Sequence, residues 1–103
     1  MPNAYPYMAS RTVYVPPMVV WEISRKVASG KLPPFPAPLP VLLRQHGFDL
    51  MPMTWEVAEA AETLPPIHRD PVDRIIVAHA LRQDMPILTS DGTIPAYGVT
   101  TIW

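Results

Sequence analysis

The chain has no cysteine. That excludes disulfide stapling and thiolate-held zinc or iron–sulfur centres, so any metal must be bound through oxygen or imidazole. It also lacks a surplus of charge of either sign. Eight Lys and Arg against nine Asp and Glu give a formal net charge of -1, so no strong global field draws it to nucleic acid or membrane, and RNA contact would need a local basic patch. No apolar run reaches the roughly 18 residues of a membrane span. The N-terminal MPNAYPYMASRTVYV has neither the basic start nor the apolar core of a signal peptide, so a soluble, cytoplasmic protein is expected. No Asn-Gly hairpin signal and no internal repeat occur.

What the chain does have is proline. Fifteen prolines in 103 residues are about three times the usual ~5%. Most sit between apolar periodic segments, where they act as punctuation in a globular chain. With 49% hydrophobic residues, the length suits one domain, residues 1–103, around a single core.

RTVYV (11–15) is β-branched and aromatic and is stopped by Pro16 and Pro17, which predicts a short strand. MVVWEISRKVAS follows with Val20, Ile23 and Val27 at helical spacing and Gly30 in a C-terminal position. KLPPFPAPLP (31–40) is expected to run as an extended connector, with a ligand for a proline-binding domain as the sharper alternative. VLLRQH reads as a short helix and FDLMPM (48–53) as a strand. Thr54 is a natural N-cap for the helix WEVAEAAETL, and Asp70 with Pro71 opens another that runs to about Asp84. PILTS and VTTIW complete the strands. Strands alternate with helices and the joints are short, so the expected fold class is α/β, a central parallel sheet flanked by helices.

In parallel sheets ligands gather outside the carboxyl ends of strands. Glu22 falls in the helix after RTVYV, Asp73 in the first turn of PVDRIIVAHAL, and Asp91 just after PILTS. Each has an ordinary alternative. Asp70 and Asp73 resemble a capping box, Glu22 has Lys26 four residues on, and Asp91-Gly92 fits a turn. Brought together, such carboxylates repel by roughly 1 kcal/mol at 4 Å in water and about 4 kcal/mol at an effective dielectric of 20. A cluster therefore needs a cation or a proton, and hard oxygen donors suit Mg²⁺ or Mn²⁺. His46 fits a helix C-terminus, His79 reads as a packed or surface residue, and His68 as a structural loop residue with an alternative role in orienting Asp70 or meeting substrate.

VVWEISRKVASGKLP, LPPIHRDPVDRIIVAHAL and ILTSD with YGVTTIW together resemble the PIN-domain ribonucleases that serve as VapC-like toxins of type II toxin–antitoxin systems, over residues 13 to 103. The resemblance implies a three-layer fold and a metal-dependent endoribonuclease that hydrolyses RNA phosphodiesters. It assigns Glu22, Asp73 and Asp91 as catalytic Mg²⁺ or Mn²⁺ ligands. It also implies a cognate antitoxin and self-association into a homo-oligomer. Arg69 and Arg74, with Arg25 and Lys26, are the candidates for phosphate contact, against solvated surface charge. The family opens with a strand that ends in a further aspartate and is followed by two helices. The matched segment begins after these, so an N-terminally truncated PIN-like fold with the first ligand missing and impaired catalysis is expected. The alternative is an inactive remnant that binds an antitoxin or a second copy, and beyond it an ordinary α/β domain whose carboxylates are caps and surface pairs.

Overall fold

The computed structural model describes residues 2–103. In chain order its elements are α1 (Ala4–Ser10), β1 (Val13–Val15), α2 (Pro17–Ala28), α3 (Leu39–Gln45), β2 (Phe48–Leu50), α4 (Trp55–Glu62), α5 (Pro71–Gln83), β3 (Ile87–Leu88), a 3-10 turn (Ile94–Tyr97) and β4 (Thr101–Ile102). The α/β class expected from the alternating pattern is what forms, and both strand pairs are parallel. The sheet is divided into two pairs, β1 with β2 and β3 with β4. Strands of two or three residues leave little ladder to extend, and the chain groups into two compact units, Arg11–Pro52 and Met1–Ser10 with Met53–Trp103.

In the unit Arg11–Pro52, β1 pairs with β2 in the register Val13 with Phe48, Tyr14 with Asp49 and Val15 with Leu50. A parallel pair needs a crossover, and α2 and α3 supply it. Pro17 opens α2 at its first position, where the missing N–H has no helical partner to lose. Gly30, past the end of α2, takes a left-handed φ of 79°, the conformation that a side chain disfavours. Among residues 11–52 only Pro16 is buried. The apolar side chains of α2, α3 and the two strands stay half-buried or exposed.

The second unit holds the core. Val77, Ala80, Ile94, Tyr97 and Val99 form one buried cluster, while Val57, Ala61 and Ala78 form another; Leu64 packs against both. α5 thus feeds both clusters, and Val77 to Ala80 are four consecutive buried residues. At 100° per residue they cover most of the helix circumference, so the middle of α5 is enclosed on nearly all sides. Its ends are built as expected. The Asp70 carboxylate accepts the Val72 N–H at 2.8 Å, Pro71 takes the first helical position, and Asp84 closes the helix in a left-handed conformation. Thr54 caps α4 by accepting the Val57 N–H at 3.2 Å.

Two elements go beyond the sequence reading. α1 forms from AYPYMAS, with Ala4 fully buried and the Asn3 N–H donating to the Trp103 carbonyl at 2.9 Å. A seven-residue helix is too short to hold itself, and its support is tertiary. The 3-10 turn at Ile94–Tyr97 likewise forms because Ile94 and Tyr97 are taken into the core.

Candidate metal centre

Three short segments of the core unit converge. The loop between α4 and α5 brings His68, the first turn of α5 brings Asp73, and the turn after β3 brings Asp91. His68 Nε2 lies 3.0 Å from Asp91 Oδ2, and His68 Nδ1 lies 3.7 Å from Asp73 Oδ2. One ligand atom from each of the three residues can be chosen so that all lie within 4.8 Å of one another. Their side chains are 22%, 35% and 39% exposed for His68, Asp73 and Asp91, open enough for solvent or a solvated ligand to reach them.

Asp91 is fixed by its own turn. Its backbone N–H donates to Thr89 Oγ1 at 3.1 Å, and its Oδ1 accepts the Thr93 N–H at 2.9 Å and the Thr93 hydroxyl at 2.7 Å. The turn reading of Asp91-Gly92 and the site reading are therefore both true: one carboxylate oxygen closes the turn and the other faces His68. The Thr93 hydroxyl, followed by the Thr93 N–H, holds the Asp91 carboxyl below its ordinary range; desolvation opposes the shift and His68 adds to it. With a proton on Nε2, the His68 ring donates to Asp91 Oδ2 and to Thr93 Oγ1, the latter at 2.7 Å. Thr93 and His68 are the members of this network that sequence reasoning did not single out as ligand neighbours. A histidine two residues before the aspartate–proline pair Asp70-Pro71 was the signal available.

The donor set suits a divalent cation. Two carboxylates and an imidazole offer oxygen and nitrogen without sulfur, and two like charges brought this close are relieved by a positive partner. The family model of the PIN domain matches residues 4–99. The chain belongs to the PIN-domain family. PIN domains are a nuclease-type family that typically binds divalent metals. No curated protein and no solved structure shows a significant match to the chain.

In this PIN domain, Asp73 and Asp91 of the sequence-derived triad come together. Glu22 lies in the middle of α2, in the unit Arg11–Pro52, with no ion pair to Lys26 among the described residues. Asp70 serves as the N-cap of the helix that carries Asp73. Arg25 stacks over the Trp21 ring, 5.0 Å from its centroid. Arg69, which follows His68 in the chain, is exposed. Arg74 is turned inward, its two terminal nitrogens donating to the carbonyls of Ala61, Glu62, Leu64, Pro65 and His68 at 2.8 to 3.3 Å.

Proposed function

We propose that this PIN domain is a metal-dependent endoribonuclease that hydrolyses RNA phosphodiester bonds, acting as the toxin of a VapC-like toxin–antitoxin pair in the cytoplasm. The observation that carries the reading is the approach of His68, Asp73 and Asp91. Asp73 and Asp91 are the carboxylates that would hold Mg²⁺ or Mn²⁺, and the motif resemblance also supports Glu22 of α2 as a metal ligand. When bound, such a cation polarises a scissile phosphate and lowers the pKa of water at the site.

The chain's own residues do the rest. Asp73 is aimed by the rigid first turn of α5, which Asp70 and Pro71 initiate. Hydrogen bonds from Thr93 lower the Asp91 pKa and so favour its anionic form. Arg69, the exposed residue that follows His68 in the chain, is the proposed contact for a phosphate of the RNA backbone, a contact that fixes register without reading sequence. A net charge of only -1 leaves binding dependent on such local contacts.

The cognate antitoxin and a second copy of the chain are the proposed protein partners. Support comes from the apolar side chains that the unit Arg11–Pro52 leaves exposed, among them Tyr14, Trp21, Phe35, Val41 and Leu50.

The test is RNA cleavage by the purified chain with Mn²⁺ or Mg²⁺, with chelator, and with Asp73→Asn. Metal-dependent cleavage that Asp73→Asn abolishes supports the reading. Failure of the chain to bind Mn²⁺ in calorimetry, together with no cleavage in any metal, refutes it.

A further inference from the structure

Arg74 occupies the fourth position of α5, a place where a cation opposes the positive end of the helix dipole and so works against the helix that carries it. Something else must hold it there. Its guanidinium crosses to the opposite kind of helix end: Nη2 donates to the Ala61 carbonyl at 2.8 Å and the Glu62 carbonyl at 3.3 Å, the last two carbonyls of α4. α4 has no basic residue in its own last turn, so Arg74 supplies from outside the cation that those unpaired carbonyls favour. The remaining bonds run along the loop, from Nη2 to the Leu64 carbonyl at 3.2 Å and from Nη1 to the carbonyls of Pro65 at 3.3 Å and His68 at 3.2 Å.

His68 is the last of these acceptors, and its backbone is held from its other side as well. The His68 N–H donates to the hydroxyl of Tyr97 at 2.7 Å, and Tyr97 is part of the buried core. The peptide groups on both sides of His68 are thus fixed, one by Arg74 and one by Tyr97, while its ring reaches Asp91, Thr93 and Asp73. A loop residue with a free backbone would swing its ring; this one is pinned.

Resting on the cation-binding reading of the centre, we infer that Arg74 is a positioning residue: it buckles the loop between α4 and α5 so that the His68 ring sets the two carboxylates at binding distance. Tyr97 is its counterpart on the other side. A lysine has the charge but not the planar fork that serves several carbonyls at once, so charge alone does not replace it.

The experiment compares wild type, Arg74→Lys, Arg74→Ala and Tyr97→Phe, with Thr54→Ala as a control that weakens α4 at its far end. Calorimetric titration with Mn²⁺ and the ¹⁵N signals of the His68 ring in the metal-free protein are both read. Arg74→Lys and Arg74→Ala are expected to lose roughly tenfold in Mn²⁺ affinity, as outer-shell losses do, with Tyr97→Phe moving the same way and Thr54→Ala leaving affinity unchanged. The His68 ring signals should shift in both Arg74 variants and in Tyr97→Phe, and stay put in Thr54→Ala. Wild-type affinity in Arg74→Lys and Tyr97→Phe, or unmoved His68 signals in these two variants, overturns the inference. A wild-type chain that binds no Mn²⁺ overturns the proposed function instead, and the metal-free ring signals still decide the role of Arg74. Should Arg74→Ala fail to fold, Arg74→Lys and Tyr97→Phe give the answer.

Discussion

Replacing His79 by leucine should stabilise the protein. His79 is 4% exposed, in the run of α5 where four consecutive residues are buried. Neither ring nitrogen has a hydrogen-bond partner among the described residues. A neutral imidazole carries one donor and one acceptor, and a buried polar group left unpaired costs about 1–3 kcal/mol. Leucine removes both groups and keeps an apolar side chain in the space. With at least about 1 kcal/mol for each of the two groups and up to ~1.5 kcal/mol subtracted for imperfect fit, the net gain near neutral pH is at least about 0.5 kcal/mol.

The gain should also depend on pH with a definite sign. Burial lowers the His79 pKa from 6.5, so the unfolded chain takes up a proton that the folded chain resists. Above pH 6.5 both states are neutral and His79 adds no slope. As pH falls below 6.5, wild type loses stability by up to about 1.4 kcal/mol per pH unit until the folded pKa is reached, whereas leucine has nothing to titrate. All other titrating groups are common to both proteins and cancel in the difference. Thermal and urea unfolding of the two, followed by circular dichroism at pH 7.5 and pH 5, measures this. A leucine variant less stable than wild type at pH 7.5, or a difference that does not widen at pH 5, refutes the reasoning.

Two further outcomes follow from single groups. The Asp91 carboxyl is held below its ordinary value of 3.8, first by Thr93, so its contribution to stability is present above that value and is lost as pH falls through the lower folded pKa; Asp91→Asn should flatten the acid limb of a stability-versus-pH curve, and an unchanged limb would contradict the assigned hydrogen bonds. Asp84 ends α5 at a φ of 52°, and Asp84→Gly should relieve the cost of a side chain in that left-handed conformation, raising stability by about 0.5–1 kcal/mol in urea titrations.

The parts of the fold that were legible are those written in local chemistry. Thr54, Asp70 and Pro71 announce the starts of α4 and α5 because a cap acts within three residues, and the structure uses them in those roles. RTVYV was legible as a β-branched run stopped by prolines and FDLMPM as a strand without clean alternation, but their lengths were not legible. Val13–Val15 and Phe48–Leu50 pair over three residues, where RTVYV and FDLMPM read as longer. How far a ladder extends depends on the partner, which composition does not contain. α1 was invisible for the same reason, its burial being decided by residues far along the chain.

The centre divides along the same line. Asp73 and Asp91 could be named from helix-start and strand-end positions, whereas the roles of His68, Thr93 and Arg74 depend on side chains meeting across 6 to 25 residues of sequence. Arg74 is the clearest case. Beside an aspartate at a helix start, an arginine reads as a free cation for phosphate, yet its donors go to carbonyls of the preceding helix and loop. The carbonyls of Ala61 and Glu62 lack helical N–H partners because α4 stops at Glu62. The end of one helix thereby fixes the orientation of a cation on the next, and through the His68 carbonyl that cation fixes the ring facing both aspartates. Helix termination and site assembly here are one structural event, so a substitution that lengthened α4 by a turn would be expected to disturb the centre even though it touched none of the three converging side chains.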